Sequence, residues 1–381
     1  MGPLAGLKVV EMAGIGPAPF CAMLLADMGA EVIRIDRLVA SDIGIPVPPK
    51  FDLLNRNKRS IAIDLKSEQG KETVLGLIEK ADILIEGFRP GVMERLGLGP
   101  DICLAKNSKL VYGRMTGWGQ DGPLSQAAGH DLNYIALTGA LNAMGRAGEV
   151  PAIPLNLVGD FAGGSLYLAM GILAAIYSVK NGGQGQVVDA AIVDGTANLL
   201  SLMYSYWQMG GWSLQRGTNI VDSGAPFYEV YETSDGRYIT IAAVEKKFYL
   251  ELLERIGLSA EELPKQGSAK DWPRLKQRLS ELFKSKTQKE WCELLEGTDA
   301  CFAPVLDIEE CIAHPHNSFR KIHLEIDGVI NPAPAPRFSH TPSEIRKTPS
   351  AIGEDTTAIL ADWGYNSEDI ERLKREGVVN Q

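Results

Sequence analysis

The chain has 381 residues, a formal net charge of −10 and 45% hydrophobic residues. That is a globular composition, long enough for two domains. Its acidity argues against a nucleic-acid or anionic-membrane partner, while leaving room for local basic pockets.

Five cysteines, Cys21, Cys103, Cys292, Cys301 and Cys311, form no CxxC pair. A disulfide framework or zinc ribbon is therefore not expected, and reduced thiols point to a cytoplasmic location. Met1 to Lys8 leads straight into strand-like Lys8-Val9-Val10-Glu11, unlike a signal peptide. No run is expected to reach the roughly 18 apolar residues of a membrane span. The ending Val378-Val379-Asn380-Gln381 resembles neither a peroxisomal nor an endoplasmic-reticulum address.

The first half reads as alternating strand and helix. Leu7 to Glu11 is a short apolar strand, Gly14-Ile15-Gly16-Pro17-Ala18-Pro19 a turn, and Phe20 to Met28 a helix ended by Gly29. Glu31 to Asp36 is the next strand and completes a βαβ unit of a parallel sheet. A strand over Ser60 to Leu65, a helix over Ser67 to Glu79 and a strand over Ala81 to Glu86 continue the alternation. A helix start at Pro90 to Leu96 and a strand over Leu110 to Thr116 follow. Leu132 to Leu141 is amphipathic. Leu166 to Val179 is apolar nearly all round and is expected to be a buried helix, and Gln186 to Ala191 is a strand.

The pattern then changes. Leu199 to Trp212 is rich in Met, Tyr and Trp, and Arg216 to Ala225 reads as a polar linker. Tyr228 to Tyr231 and Tyr238 to Ala243 flank Ser234-Asp235-Gly236-Arg237, a hairpin signal. Helices are expected over Lys247 to Ile256, Trp272 to Ser285 and Lys289 to Glu296. Pro332 to Pro336 marks another linker, and the helical tail from Asp355 to Glu376 is expected to return to the first domain. The expected fold class is α/β. A large domain covers 1–190 and 325–381, a linker 191–227, a small α+β domain 228–303 and a return linker 304–324.

A glycine-rich turn between strand and helix suggests phosphate binding. However, Gly14 to Pro19 lacks the GxGxxG spacing and its prolines remove backbone donors, so it reads as a shaped wall. The basic candidates for a phosphate pocket are Arg37, just after a strand, the cluster Arg56, Lys58 and Arg59, then Arg89 and Arg95. Solvated surface charge accounts for them equally well.

His130 stands between Gly129 and Asp131, before the amphipathic run. A glycine ahead of a helix leaves backbone N–H groups free, an electropositive point suited to a developing enolate oxygen. On the residues alone, a helix cap by His130 or Asp131 is the simpler reading. Asp160 reads as a cap too, although Gly159, Gly163 and Gly164 clear space around its carboxylate. Glu245, after the Ile239 to Val244 strand, reads as an ordinary surface acid. No metal site is expected, because His314 and His316 flank Pro315 without a cysteine pair. The absence of a GxSxG elbow removes the serine hydrolase reading.

An ordered series of longer motifs goes further. It comprises Gly16-Pro17-Ala18-Pro19-Phe20-Cys21-Ala22-Met23, Glu31-Val32-Ile33-Arg34-Ile35-Asp36-Arg37 and Asn57-Lys58-Arg59-Ser60. Glu86-Gly87-Phe88-Arg89-Pro90-Gly91-Val92-Met93-Glu94-Arg95-Leu96, Ala128-Gly129-His130-Asp131 and Asp160-Phe161-Ala162-Gly163-Gly164 follow. Gly224-Ala225-Pro226-Phe227-Tyr228, Gly297-Thr298-Asp299-Ala300-Cys301 and His314-Pro315-His316-Asn317 close it. Over nearly its whole length the chain resembles the α-methylacyl-CoA racemases of the class III CoA-transferase (CaiB/BaiF) superfamily.

The resemblance implies a role in fatty acyl metabolism. The activity would be a 1,1-proton transfer that interconverts (2R)- and (2S)-2-methylacyl-CoA through an enolate, with no metal and no cofactor beyond the CoA of the substrate. It makes His130 and Asp160 the two catalytic acid/bases, Glu245 a supporting glutamate near Asp131, and the Asp131 backbone N–H the donor to the thioester oxygen. Arg37, Arg89, Arg95, Ile63, Asp64, Leu65, Lys66, Gly87, Phe88, Gly129, Leu132, Asn133 and Tyr134 fall where the family binds CoA. Met115, Tyr228, Met203 and Met209 would line the acyl side, where soft thioethers suit variable shapes. The implied fold is a Rossmann-like large domain and a small domain in an interlocked homodimer, with Glu245 completing the other subunit's site. The acyl group stays open between branched fatty acyl, sterol side-chain and aryl-propionyl thioesters.

The alternative is a class III CoA-transferase, with Asp160 as the nucleophile that forms a mixed anhydride. That branch needs no histidine base and carries a glycine-rich loop where this chain has Ala242-Ala243-Val244-Glu245. A non-catalytic CoA-binding scaffold would tolerate loss of His130 and Asp160, and both are present.

Overall fold

The computed structural model describes residues 2–39 and 44–380. The chain forms two compact units, one of Met1–Thr138, Leu155–Leu199 and Arg320–Gln381, the other of Gly139–Pro154 and Leu200–Phe319.

The first unit is built on a seven-stranded sheet. Its strands are β1 (Lys8–Met12), β2 (Glu31–Asp36), β3 (Lys58–Ile63), β4 (Ile83–Glu86), β5 (Val111–Thr116), β6 (Gln186–Ala191) and a short C-terminal strand, Val379–Asn380. The order is C-terminal strand, β3, β2, β1, β4, β5, β6. β1 to β6 pair in parallel, and the C-terminal strand pairs antiparallel with β3. β4 and β5 are buried throughout, as apolar runs in a sheet covered on both faces should be. The winding reverses between β1 and β4, and such sheets bind ligands outside the carboxyl ends of the strands at that point.

One face of the sheet packs Ile33, Ile61 and Leu84 against Val74 and Leu77 of α2 (Glu68–Ile78) and against Ile359 and Trp363 of the tail. The other packs Val9, Val32 and Ile83 against Cys21 and Leu25 of helix α1 (Pro17–Asp27) and against Leu168 and Ile172. Gly16, at φ 69°, turns the chain into α1, where Pro17 supplies the preset φ of a first helical position. The tail helices Thr356–Asp362 and Ser367–Arg375 belong to this unit. Trp363 Nε1 donates to Glu31 Oε1 at 2.9 Å and the Tyr365 hydroxyl to the Thr73 carbonyl at 3.0 Å.

The apolar run around residue 170 differs from expectation in two ways. A π-helical stretch, Leu157–Leu166, continues directly into the α-helix Tyr167–Lys180. The joined helix has 24 residues and is long and apolar enough to cross a membrane by length and composition, which counting residues 166–179 alone did not reveal. Nor is it buried all round. Leu168, Ile172, Ala175 and Ile176 enter the sheet core, whereas Leu166, Met170 and Tyr177 are 50%, 60% and 74% exposed. A sheet can cover only one side of a helix, so the opposite stripe faces outward.

In the second unit β7 (Tyr228–Glu232), β8 (Tyr238–Ala242) and β9 (Phe302–Pro304) form an antiparallel sheet. Its hairpin turn has Gly236 at φ 73° and the Thr233 N–H on the Arg237 carbonyl at 2.9 Å. Helices Lys246–Arg255, Trp272–Phe283 and Gln288–Leu295 close over Ile239 and Ile241. Thr287 and Glu290 make a reciprocal cap at the last of them. Residues 139–154 join this unit through ionic and hydrogen-bonded contacts that leave no periodic trace. Both guanidinium NH2 groups of Arg146 reach the buried Glu229, at 3.0 and 2.9 Å, and Arg216 donates to the Asn142 and Glu149 carbonyls.

Candidate active site

The loops leaving the carboxyl ends of the parallel strands carry most of the expected CoA residues. Arg37 follows β2, Asp64, Leu65 and Lys66 follow β3, and Gly87, Phe88 and Arg89 follow β4. Arg37, Lys66, Arg89 and Arg95 are exposed, whereas Ile63 is fully buried within β3. The loop after β4 is held from beneath. Glu86, fully buried, accepts from the Phe88 N–H at 2.7 Å and from Arg114 Nε at 2.8 Å, and Arg114 also binds Glu94. Burial raises the Glu86 pKa, against the Phe88 N–H and the Arg114 charge. A Cβ on Gly87 would lie 3.2 Å from the Ala18 Cβ, so the loop rests on α1.

The cluster Arg56, Lys58 and Arg59 is not a phosphate pocket. Arg56 makes a buried two-point contact with Asp27 at 3.2 and 2.6 Å. Lys58 Nζ is buried 2.7 Å from Glu11 Oε2. Arg59 bridges Glu31 and Asp362 at 2.5 and 2.6 Å. Each cation is already matched to a carboxylate on a neighbouring element, a pairing that sequence proximity conceals.

His130 is exposed, at the residue before the helix Asp131–Leu137. Its backbone N–H donates to Asn133 Oδ1 at 3.1 Å, and its carbonyl accepts from the Asn133 N–H at 2.8 Å. The Asp131 N–H lies in the first turn, where no intrahelical acceptor exists. Tyr134 braces the position. Its hydroxyl donates to the Gly129 carbonyl, and its ring meets Trp118 edge-on at 4.7 Å and 86°. Side chains at Gly117 or Gly129 would collide with that ring, at 2.0 and 2.8 Å. Leu132 and Asn133 are exposed on the same helix.

Asp160 lies in the first turn of the π-helical stretch, in the same unit. Its side chain faces the turn before α1, since a Cβ on Gly16 would be 3.4 Å from Asp160 Oδ2. Gly16, within the Gly14 to Pro19 turn, thus lies beside this carboxylate. The Ser165 hydroxyl joins the two elements, 2.7 Å from the Pro17 carbonyl and 2.9 Å from that of Asp160. Phe20 stacks on Phe161 at 4.6 Å. Burial first, and the neighbouring Asp131 charge second, push the Asp160 carboxyl up to about 6, while Asn156 and His130 pull it back. A protonated carboxyl therefore lies within reach of neutral pH, close to the ordinary histidine value of about 6.5.

The side chain of Asp131 plays a part that sequence reasoning missed. It is buried, and its Oδ1 accepts the Asp160 N–H at 2.6 Å. A buried carboxylate that reaches across to another element leaves no local pattern. Met115, at the end of β5, is 2% exposed, and a Cβ on Gly164 would be 3.3 Å from its sulfur. It packs beneath the Asp160 stretch rather than on an open surface.

In the second unit, Glu245 is the exposed residue that opens the helix Lys246–Arg255. Its charge helps, after burial, to raise the Cys301 thiol. Tyr228 is 37% exposed at the start of β7, and Met209 is 73% exposed just after the helix Ser201–Gln208, which carries Met203. Among the described residues no group of three or more His, Cys, Asp or Glu side chains is arranged to hold a metal ion.

Residues 4–356 match the model of CoA-transferase family III. The chain belongs to that family. Among its relatives is the Alpha-methylacyl-CoA racemase of Mus musculus, 45% identical over 380 residues, 99% of this chain and 97% of that protein. The Homo sapiens protein of the same name is 42% identical over 381 residues, with 99% and 97% covered. A crystal structure of a CAIB/BAIF family protein from Brucella suis superposes with a TM-score of 0.81 at 27% identity, covering 95% of this chain and 99% of that one. The family resemblance expected from the ordered motifs therefore holds, and so does the α/β class with its large parallel sheet.

The small residues around Asp131 and Asp160 are closely packed. A Cβ on Gly159 would stand 2.4 Å from Asp131 Oδ1 and 2.8 Å from Ile135 Cγ2. Gly159→Ala is expected to cost about 1–3 kcal/mol by overpacking and to lower turnover roughly 100-fold by displacing Asp160. Urea unfolding and kcat report the two effects, and unchanged values of both would show that the contact relaxes freely.

Proposed function

We propose that this member of CoA-transferase family III is an α-methylacyl-CoA racemase, interconverting (2R)- and (2S)-2-methylacyl-CoA. The observation that carries the reading is an Asp160 carboxyl held at about 6 within the field of His130. A carboxyl that keeps its proton toward neutral pH can return one to a carbon from which a second group removes one, as a reversible transfer needs. The names and full-length coverage of the mammalian relatives support the same reading.

The thioester acidifies the C2 proton. His130 accepts that proton from one face, and the C–H bonding pair passes into an enolate whose oxygen faces the Asp131 N–H at the helix start. Protonated Asp160 delivers a proton to the opposite face of C2, and the new C–H bond completes inversion. The reverse reaction exchanges the roles. The exposed cations Arg37, Arg89 and Arg95 would bind the CoA phosphates, with Gly87, Phe88, Gly129 and the 63–66 segment around the rest of the CoA. Tyr228, Met203 and Met209, expected on the acyl side, lie in the second unit, and Met115 supports the Asp160 stretch from beneath. The reaction calls for no metal and no cofactor beyond the CoA of the substrate.

The same reading makes the working enzyme an interlocked homodimer acting in the cytoplasm, without nucleic-acid or membrane partners. Glu245 of the partner subunit would then support His130. Exposed Leu202, Tyr204, Trp207 and Met209 support an assembly that covers them.

Incubating a single-enantiomer 2-methylacyl-CoA in D2O, with no acceptor acid, tests the function. Deuterium at C2 with loss of optical purity is the expected outcome. Absence of exchange, with CoA passing to an added carboxylate, would identify a transferase instead.

A further inference from the structure

We infer that the carboxylate of Asp131, as distinct from its backbone N–H, is a positioning residue: it ties the segment carrying Asp160 to the helix that begins beside His130, and it sets a second negative charge next to the Asp160 carboxyl. The inference rests on the racemase reading above and assigns a further residue to it.

The tie is direct. Asp131 Oδ1 accepts the Asp160 N–H at 2.6 Å, and the Gly159 N–H also bonds this carboxylate. Gly159 leaves no room for a side chain between them. Through these bonds a single residue spans the two proton carriers, because Asp131 directly follows His130 in the chain. Any slip of the Asp160 segment relative to His130 must break them.

The tie does not account for the whole group. Holding two N–H donors needs one acceptor oxygen, yet Asp131 brings a second. Its Oδ2 is buried and has no hydrogen-bond partner among the described residues. An unpaired carboxylate oxygen in a buried place is costly. What it supplies beyond an amide is charge, and that charge acts on Asp160.

The groups that face Asp160 are few. The Asp131 helix presents Asp131, His130 and Tyr134, the last also in the field of Arg89. Asp160's own segment presents Asn156, 3.4 Å from Oδ2. The turn before α1 presents Gly16, which has no side chain. Among these, Asp131 brings the like charge: burial raises its own pKa, the Asp160 and Gly159 N–H groups favour its ionised form, and that charge opposes ionisation of Asp160, which Asn156 and His130 favour. Without the Asp131 charge, only burial is left to oppose ionisation of Asp160.

The experiment compares full-length wild type, Asp131→Asn and Asp160→Asn. Deuterium exchange at C2 is followed across pH with one enantiomer of a 2-methylacyl-CoA. Asn keeps an acceptor for the two N–H groups but carries no charge. In Asp131→Asn the limb of the profile that belongs to Asp160 should move to lower pH, on the order of one unit, as loss of a neighbouring like charge requires. A slower enzyme whose limb stays in place would overturn the inference, because a purely structural tie changes rate without moving the limb. A limb that survives in Asp160→Asn would overturn the racemase assignment itself, which keeps the two failures apart. If Asp131→Asn does not fold, the same question is put to wild type labelled with 13C at aspartate carboxyls. The Asp160 signal, known by its loss in Asp160→Asn, should titrate as one member of a coupled pair. Titration in a single independent step would overturn the inference.

Discussion

Replacing His130 by Ala, or Asp160 by Asn, is expected to lower racemisation about 10²–10⁴-fold, the usual contribution of one positioned acid/base. Each variant should keep CoA affinity, since neither side chain is assigned to the CoA. The pair also predicts a split that rate alone does not show. With one base gone, the surviving base can still remove and return a proton on its own face. Each variant should therefore exchange deuterium into one enantiomer without inverting it, and the two variants should favour opposite enantiomers. Chiral analysis of the recovered thioester reads this directly, and near-normal inversion in both variants would sink the assignment. Asp160→Asn carries a second signature. The Asp160 carboxyl, normally near 3.8, stands at about 6 in the folded chain. Its ionised form is thus less favourable folded than unfolded, and wild-type stability falls as pH rises between those values. The variant lacks that fall. It should melt higher than wild type at mildly alkaline pH and close to it in acid, so activity is lost while stability is gained.

The largest effect on stability is expected at Lys58. Its ammonium is fully buried between three elements, 2.7 Å from Glu11 Oε2 on β1, 3.0 Å from the Pro19 carbonyl on α1 and 3.1 Å from Asn55 Oδ1. Burial raises the Glu11 pKa and lowers that of Lys58, and the charge of each partner works against that shift in the other. Lys58→Met removes one partner and leaves a carboxylate in a dry interior, a change that typically costs about 3–5 kcal/mol. Urea denaturation at neutral pH measures it. The deficit should shrink as pH falls, because Glu11 then takes up a proton and its lone charge disappears. Combining Lys58→Met with Glu11→Leu should recover much of the loss, since a matched apolar pair carries no desolvation penalty. Additive losses in the double variant would show that the two groups do not act as a pair. Turnover should also fall in Lys58→Met, because the Pro19 carbonyl belongs to the helix that begins at Gly16, which lies beside Asp160.

Much of the architecture is legible in the chain because its signals are local. Apolar runs bounded by Gly14, Gly29 and Pro90 mark the strand and helix alternation, and the Asp235-Gly236 turn marks the hairpin of β7 and β8. Short elements with little to bury are less readable. The helix Pro100–Lys106 buries only Cys103 and so shows no apolar stripe. The strand Val379–Asn380 exists because β3 offers it an edge. Residues 139–154 join the second unit through Arg146 and Arg216, and charged contacts have no period.

The candidate site divides in the same way. Gly129-His130-Asp131 and Asp160 stand out through the glycines around them and through the order of the longer motifs, and the resemblance those motifs carry assigns them acid/base roles. On local grounds helix capping explained them as well. The sequence by itself determined the α/β class and the family and singled out His130 and Asp160 as candidates, because turn residues and ordered motifs are written along one dimension. Only the tertiary structure decided which charges are already matched, as Arg56 is to Asp27 and Lys58 to Glu11. Only there does the Asp131 carboxylate reach the Asp160 N–H and leave Asp160 poised near 6. Burial and through-space charge set these properties, and both depend on which elements fold against each other.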